Sequence, residues 1–290
     1  MSGGGAGVGG VAPGGVDVHL RGVIHLYEQD GPDIVALRGV DLDIEAGEMV
    51  ALLGPSGMGK STLLQLLAGM MRPSTGEIRI GAVDLGKLVG SELQRLRATE
   101  VSYLLQDPAE NLLPYATAVE NVWFAQQATR RQDDREVPDP HQHLAQLGLA
   151  DVADRRVVEL PRGMQQQVAL ASAVGNSPRL LLADEPTNQL DSPASAAVVT
   201  LLQTINAQLG TTIVLVTHDP AVANSLARTI TIRDGRVGAE GRLGTQYAVI
   251  DGSGSVQLPP EILEHFPPQT RLIVERHEDG IALRPERQDP

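Results

Sequence analysis

The residues Gly54, Pro55, Ser56, Gly57, Met58, Gly59, Lys60 and Ser61 stand between an apolar run, EMVALL, and a helical pattern, STLLQLLAGMM, in which Thr62 follows directly. Glycines at this spacing let successive backbone N–H groups converge on anionic oxygens, and the helix that follows adds partial positive charge at the same point. A lysine closing such a loop neutralises the terminal phosphates of a nucleoside triphosphate, and the adjoining serine hydroxyl is a hard oxygen ligand suited to magnesium. The order strand, glycine-rich turn, helix is the context that this chemistry requires.

A second group lies far along the chain. In RLLLADEP, Asp184 and Glu185 close an apolar strand, where unpaired carboxylates cost several kcal/mol to bury. A metal-bound nucleotide offsets that cost, with Asp184 holding magnesium directly or through water and Glu185 orienting and deprotonating the attacking water. A later apolar strand, TIVLVTHD, ends at His218 in the same manner. The helix SPASAAVVTLLQTINAQLG separates these two strands, and such alternation implies a parallel sheet with functional groups at its carboxyl ends.

The remaining elements are those needed to hold these groups. VDVHLRGVIHLY and ALRGVDLDI, joined by the turn-prone EQDGPD, read as antiparallel strands. Residues 91–97 and 117–127 have helical spacing, and residues 129–143 read as a charged, proline-containing loop. From residue 247 the texture changes to YAVID, a GSG turn, SVQLP, a proline-started helix PEILEHF, and then RLIVERH and IALRP joined by the hairpin signal EDG. A domain boundary is therefore expected at residues 243–246.

Composition narrows the options. The chain has 290 residues, 42% of them hydrophobic, so it buries a substantial core with room for a small appendage. No apolar run approaches the roughly 18 to 20 residues that span a bilayer. Residues 1–15 read as a flexible glycine-rich leader without the features of a secretory signal, so a cytoplasmic location is expected. The absence of cysteine excludes disulfides, thiolate metal sites and cysteine nucleophiles. A net charge of −13 argues against direct nucleic-acid binding, and the tail beyond residue 246 carries eight acids against four arginines.

Taken together, these motifs resemble the ABC (ATP-binding cassette) ATPase family over about residues 16–237. The resemblance implies an α/β P-loop NTPase with an antiparallel β subdomain, a parallel-sheet core and a helical subdomain at about 107–175, within a domain of residues 16–243. It implies ATP and Mg2+ as cofactors. By position it implies that Tyr27 stacks on adenine, that Gln106 reaches the magnesium and the attacking water, and that His218 contacts the γ-phosphate. Asp191 would end the loop PTNQLD that crosses the dimer interface. Transmembrane permease subunits on separate chains and a second ATPase subunit are the implied partners, with the protein peripheral at the inner face of the cell membrane. Within the family, GPSGMGKSTLLQLLAG, ELQRLR, NLLPYATAVENV and LLLADEPTNQLD look most like the lipoprotein-release and macrolide-exporter class.

One landmark departs from the pattern. The family signature LSGGQ, whose serine and glycines contact the γ-phosphate held by the other subunit, reads here Leu160-Pro161-Arg162-Gly163-Met164. Gly163 is kept, while Pro161 removes a hydroxyl and an N–H. Loss of one preorganised donor is worth about 3 to 4 kcal/mol, or a factor of about 100 to 1,000 in rate. Weak hydrolysis by the isolated chain is therefore expected: in a homodimer both sites are handicapped, whereas in a heterodimer with an intact-signature subunit this chain's own phosphate loop and Glu185 form a competent site. The alternatives are a soluble ABC ATPase with a regulatory or nucleic-acid role, and an ATP sensor with little hydrolysis. Residues 246–287 resemble the swapped-hairpin domain of AbrB-type regulators, in which two copies intertwine, and this implies a dimerising appendage.

Overall fold

The computed structural model describes residues 14–28, 33–132, 136–242, 245–250, 254–256, 258, 266, 270–277 and 280–285. Alternation at the start of the chain yields two long strands, β1 (Val18–Tyr27) and β2 (Ile34–Ile44), whose inward residues include Val18, Leu20, Val23, Leu37, Val40 and Ile44. The continuous apolar β3 (Met49–Leu53) goes instead to the middle of a second sheet and feeds α1 (Lys60–Leu67). Strands β4 (Thr75–Ile80) and β5 (Val83–Asp84) return to the first sheet, giving the antiparallel order β2-β1-β4-β5.

Helix α2 (Ser91–Thr99) leads to β6 (Val101–Leu104), after which the chain makes a helical excursion. This comprises α3 (Pro108–Asn111), α4 (Ala118–Gln132), α5 (Pro140–Gln146), 3-10 turns at Ala150–Val152 and Val157–Glu159, and α6 (Arg162–Ala173). The chain then re-enters the large sheet through β7 (Leu180–Asp184), α7 (Ser192–Leu209), β8 (Thr212–Val216), α8 (Pro220–Asn224), β9 (Arg228–Arg233), β10 (Arg236–Arg242) and β11 (Thr245–Ala248). The strand order is β11-β10-β9-β3-β8-β7-β6. The five strands from β9 to β6 run parallel, and β10 and β11 add an antiparallel edge.

Two cores sandwich this sheet, and strand periodicity divides the side chains between them. Ala51, Leu181, Ala183, Ile213 and Leu215 join a cluster with α4, α6 and α7. Their neighbours Val50, Leu52, Leu180, Leu182, Val214 and Val216 join another with α1 and the four-stranded sheet. Among the described residues four helices begin at an aspartate followed by proline in the first turn: α3 at Asp107, α5 at Asp139, α7 at Asp191 and α8 at Asp219. In each the carboxylate accepts a backbone N–H that the helix leaves unpaired. Helix α6 starts at Pro161 with no side-chain cap.

Two features differ from the sequence reading. The charged stretch at residues 129–143 is helical at both ends, because α4 continues to Gln132 and α5 begins at Pro140. The inward face of α4 there is polar: Gln126 donates to the carbonyls of Pro138 and Gly175, and Thr129 to that of Ala98. The large sheet also continues past the boundary expected at residues 243–246, since β11 pairs with β10 with Tyr247 opposite Glu240. Beyond it, β12 (Leu272–His277) and β13 (Gly280–Pro285) form a two-stranded antiparallel hairpin. Apart from Phe266, the helix expected at residues 260–266 lies outside the described residues, as does the leader up to residue 13. Among the described residues no helix is long and apolar enough to cross a membrane.

Candidate functional site

The turn between β3 and α1 exists in its observed form only because of its glycines. Gly54, Gly57 and Gly59 have φ of 145°, 79° and 92°, a region that side chains disfavour. A Cβ on Gly54 would lie 2.1 Å from the Ile232 carbonyl oxygen of β9, and one on Gly59 2.4 Å from that of Ala36 in β2. The loop is thus pressed between two strands. Lys60 is 6% exposed, and its Nζ donates to the carbonyl oxygens of Gly54 and Pro55, each at 2.7 Å. Burial pulls its ammonium below the usual lysine range, and the nearby Glu185 and Asp184 act in the opposite direction.

The carboxyl ends of β7 and β8 deliver the opposing groups. Ser61 Oγ donates to Asp184 Oδ1 at 3.2 Å, and the Tyr103 hydroxyl on the adjacent β6 donates to Asp184 Oδ2 at 3.1 Å. Burial, followed by the Asp184 charge, pushes the Tyr103 hydroxyl up, which keeps it a donor. Glu185 has φ of 47°, and its Oε2 lies 2.8 Å from His218 Nδ1 and 3.3 Å from the His218 backbone N–H. These groups surround a cleft of about 560 Å³ that Ser56, Gly57, Gly59, Lys60, Ser61, Thr62, Gln106, Asp184, Glu185 and His218 all line. Tyr27 forms part of its wall with Ile34, Val35 and Ala36, its hydroxyl 3.0 Å from Thr62 Oγ1.

Five residues named from sequence sit elsewhere. Gly54 and Pro55 act as acceptors for Lys60, and Met58 is turned aside, its Sδ accepting the Asp234 backbone N–H at 3.4 Å. Gly163 and Asp191 do not line this chain's cleft, and both converge on Ala194 of α7. A Cβ on Gly163 would stand 2.6 Å from the Ala194 Cβ, and Asp191 accepts the Ala194 N–H at 2.9 Å. Arg162 lies 3.7 Å from Asp107, the residue that follows Gln106. Conversely, sequence reasoning did not single out Asn188, which lines the cleft, or Tyr103. Position within PTNQLD was a signal for Asn188, and nothing in the local pattern marked Tyr103.

The donor set fits magnesium. A serine hydroxyl, one carboxylate and the Gln106 amide are hard oxygen donors, and magnesium in phosphate-transfer sites is held by one or two carboxylates plus substrate oxygens. Among the described residues there is no cluster of three or more His, Cys, Asp or Glu of the kind that dedicated metal cages use.

Comparison with known proteins decides the family. The family described as ABC transporter matches residues 37–188, a span that carries the phosphate loop, Gln106, Asp184 and Glu185. The chain belongs to the ABC transporter family. This ABC cassette is 41% identical over 226 residues to the lipoprotein-releasing system ATP-binding protein LolD of Anaeromyxobacter dehalogenans, covering 77% of this chain and 93% of the relative. It is 40% identical over 224 residues to the macrolide export ATP-binding/permease protein MacB of Burkholderia thailandensis, of which it spans 33%. A dimeric ATP-binding cassette, MJ0796, solved in a post-hydrolysis state with ADP and Pi, superposes with a TM-score of 0.68 at 34% identity over 78% of this chain and 98% of that one. As an ABC ATPase, the cassette binds ATP, and its class carries ATP hydrolysis.

Proposed function

We propose that this chain binds MgATP in the cleft and hydrolyses it as the nucleotide-binding subunit of a lipoprotein-release or macrolide-exporter-like ABC transporter. It would drive permease subunits on separate chains from the inner face of the membrane. The observation that carries this reading is the convergence of Lys60, the Ser61–Asp184 pair and the Glu185–His218 pair on one cleft. Loop N–H groups and Lys60 bind the phosphates, and the Tyr27 wall receives the base. Ser61, Gln106 and Asp184 would hold magnesium, which neutralises phosphate charge. Glu185 takes a proton from water as its oxygen attacks the γ-phosphorus, and the bond to the departing ADP oxygen breaks. His218 holds the Glu185 carboxylate in place through two donors, which orients the base.

The altered signature sets the rate. Pro161 has no hydroxyl to offer, and Arg162 is drawn toward Asp107. Turnover by the purified chain is expected to be slow, and the double change Pro161→Ser, Arg162→Gly is expected to raise it at least about tenfold in a steady-state phosphate-release assay. Brisk turnover by the parent contradicts this account. A slow parent that the double change leaves slow favours the ATP-sensor reading, for which the LPRGM sequence is the supporting observation. Assay with a second cassette bearing an intact signature separates a heterodimer from a homodimer.

For the appendage we propose a dimerising role of AbrB-like type. In the β12–β13 hairpin, Leu272, Val274, Ile281 and Leu283 share one face with Arg276, while Glu275, His277 and Arg284 lie on the other with Ile273. Arg284 and His277 approach Glu275 to 3.3 and 3.7 Å on that polar face. Val274 and Ile281 on the apolar face are 65% and 68% exposed. A two-stranded hairpin is marginal alone, and an equivalent face from a second copy would cover it. Val274→Glu with Ile281→Glu in the full chain is expected to shift the nucleotide-free protein from dimer to monomer by light scattering. An unchanged mass would remove the dimerising role.

A further inference from the structure

Asp184 is held at both of its carboxylate oxygens by hydroxyl donors that come from different elements. Ser61, at the start of α1, donates to Oδ1, and Tyr103, on β6, donates to Oδ2. The parallel register pairs Tyr103 with Leu182, so the phenol reaches along the sheet from two positions behind Asp184 to meet its side chain. The ring itself is anchored by packing. It lies against the apolar cluster between α1 and the sheet, and borders a separate cavity with Met70, Ala98, Ala125 and Ala128. Phenylalanine would satisfy that packing equally well, so the hydroxyl has no task in the core. Among the described residues its one hydrogen-bond partner is Asp184.

We infer that Tyr103 is a positioning residue for the magnesium-holding carboxylate, an inference that rests on the MgATP reading given above. A carboxylate tied at Oδ2 loses rotation about its last torsion, and its Oδ1 edge stays directed at Ser61. Two of the three oxygen donors proposed for the cation, Ser61 and Asp184, are therefore kept adjacent by the protein itself. Outer-shell partners of this kind typically alter metal affinity by about 10- to 100-fold when removed.

The test is Tyr103→Phe in the full chain, with Mn2+ as a paramagnetic probe titrated in the presence of AMP-PNP. Mn2+ binding is expected to weaken about tenfold or more, while AMP-PNP affinity in EDTA stays at the parent value because the phosphate loop is untouched. A second measurement follows the rise in melting temperature given by AMP-PNP as Mg2+ is added. The Mg2+ concentration for half of that rise should move upward about tenfold, with the same plateau at excess cation. If the variant melts lower without ligand, this readout still decides, because a packing defect is not relieved by magnesium. Unchanged Mn2+ affinity, or a plateau that excess Mg2+ fails to restore, overturns the role of Tyr103. A parent protein that takes up no Mn2+ with nucleotide overturns the MgATP reading itself, so the two failures are told apart.

Discussion

Replacing Glu185 by Gln is expected to lower ATP turnover by about 10²- to 10⁴-fold while MgATP affinity changes by less than about threefold. Glutamine has the same shape, and its oxygen still accepts from the His218 backbone N–H, so the geometry of the strand ends survives. What it lacks is basicity. The Glu185 side chain is 15% exposed and is fixed by contacts of 2.8 and 3.3 Å to His218, so no rearrangement is needed before it takes a proton. Because the parent is expected to be slow, the comparison has most range in the Pro161→Ser, Arg162→Gly background. Single-turnover phosphate release, with binding measured by calorimetry, checks both halves. Turnover within threefold of the background would assign the proton to another group.

The second large effect concerns binding. Lys60→Ala is expected to weaken MgATP by about 2 to 5 kcal/mol, roughly 30-fold to several thousand-fold, the range for removing one partner of a desolvated charge pair. The ammonium is buried and bridges the Gly54 and Pro55 carbonyls, so it also braces the loop that it serves. Alanine removes the charge and leaves two acceptors without a donor. Lys60→Arg gives no rescue on this account, because a planar guanidinium does not reproduce a compact point charge in that space. Titration of a fluorescent ATP analogue reads the effect directly. Affinity equal to the parent's would remove the foundation of the nucleotide assignment.

Residues whose type is dictated by backbone conformation or by charge were legible before the fold was known. The glycines at 54, 57 and 59 occupy positive φ, and two of them meet a neighbouring strand where no side chain fits. Asp184, Glu185 and His218 stood out because each follows an apolar run that has to be an interior strand. Helix α4 was harder to read past Gln127, because the face it buries there is made of Gln126 and Thr129, and hydropathy does not register a buried face satisfied by hydrogen bonds. Strand β11 was hidden for a different reason: it is an edge strand with Tyr247 half exposed, so pairing with β10 leaves little apolar signature. The contact of Tyr103 with Asp184 joins residues 81 positions apart, and such a contact depends on strand order, which local pattern does not encode.

The aspartate–proline starts of α3 and α8 give two distant segments the same construction. Strand β6 ends at Leu104, and only Leu105 and Gln106 precede the cap Asp107; strand β8 ends at Val216, and only Thr217 and His218 precede the cap Asp219. Both tethers are themselves pinned: Asn111 binds the N–H and carbonyl of Leu105, and Thr217 bonds to Leu52 and to the N–H of Asp219. Two residues span at most about 7 Å, so there is almost no slack to take up. Displacement of α3 or α8 is therefore expected to carry Gln106 or His218 with it, which makes these two short helices the places where an outside contact would reach the cleft.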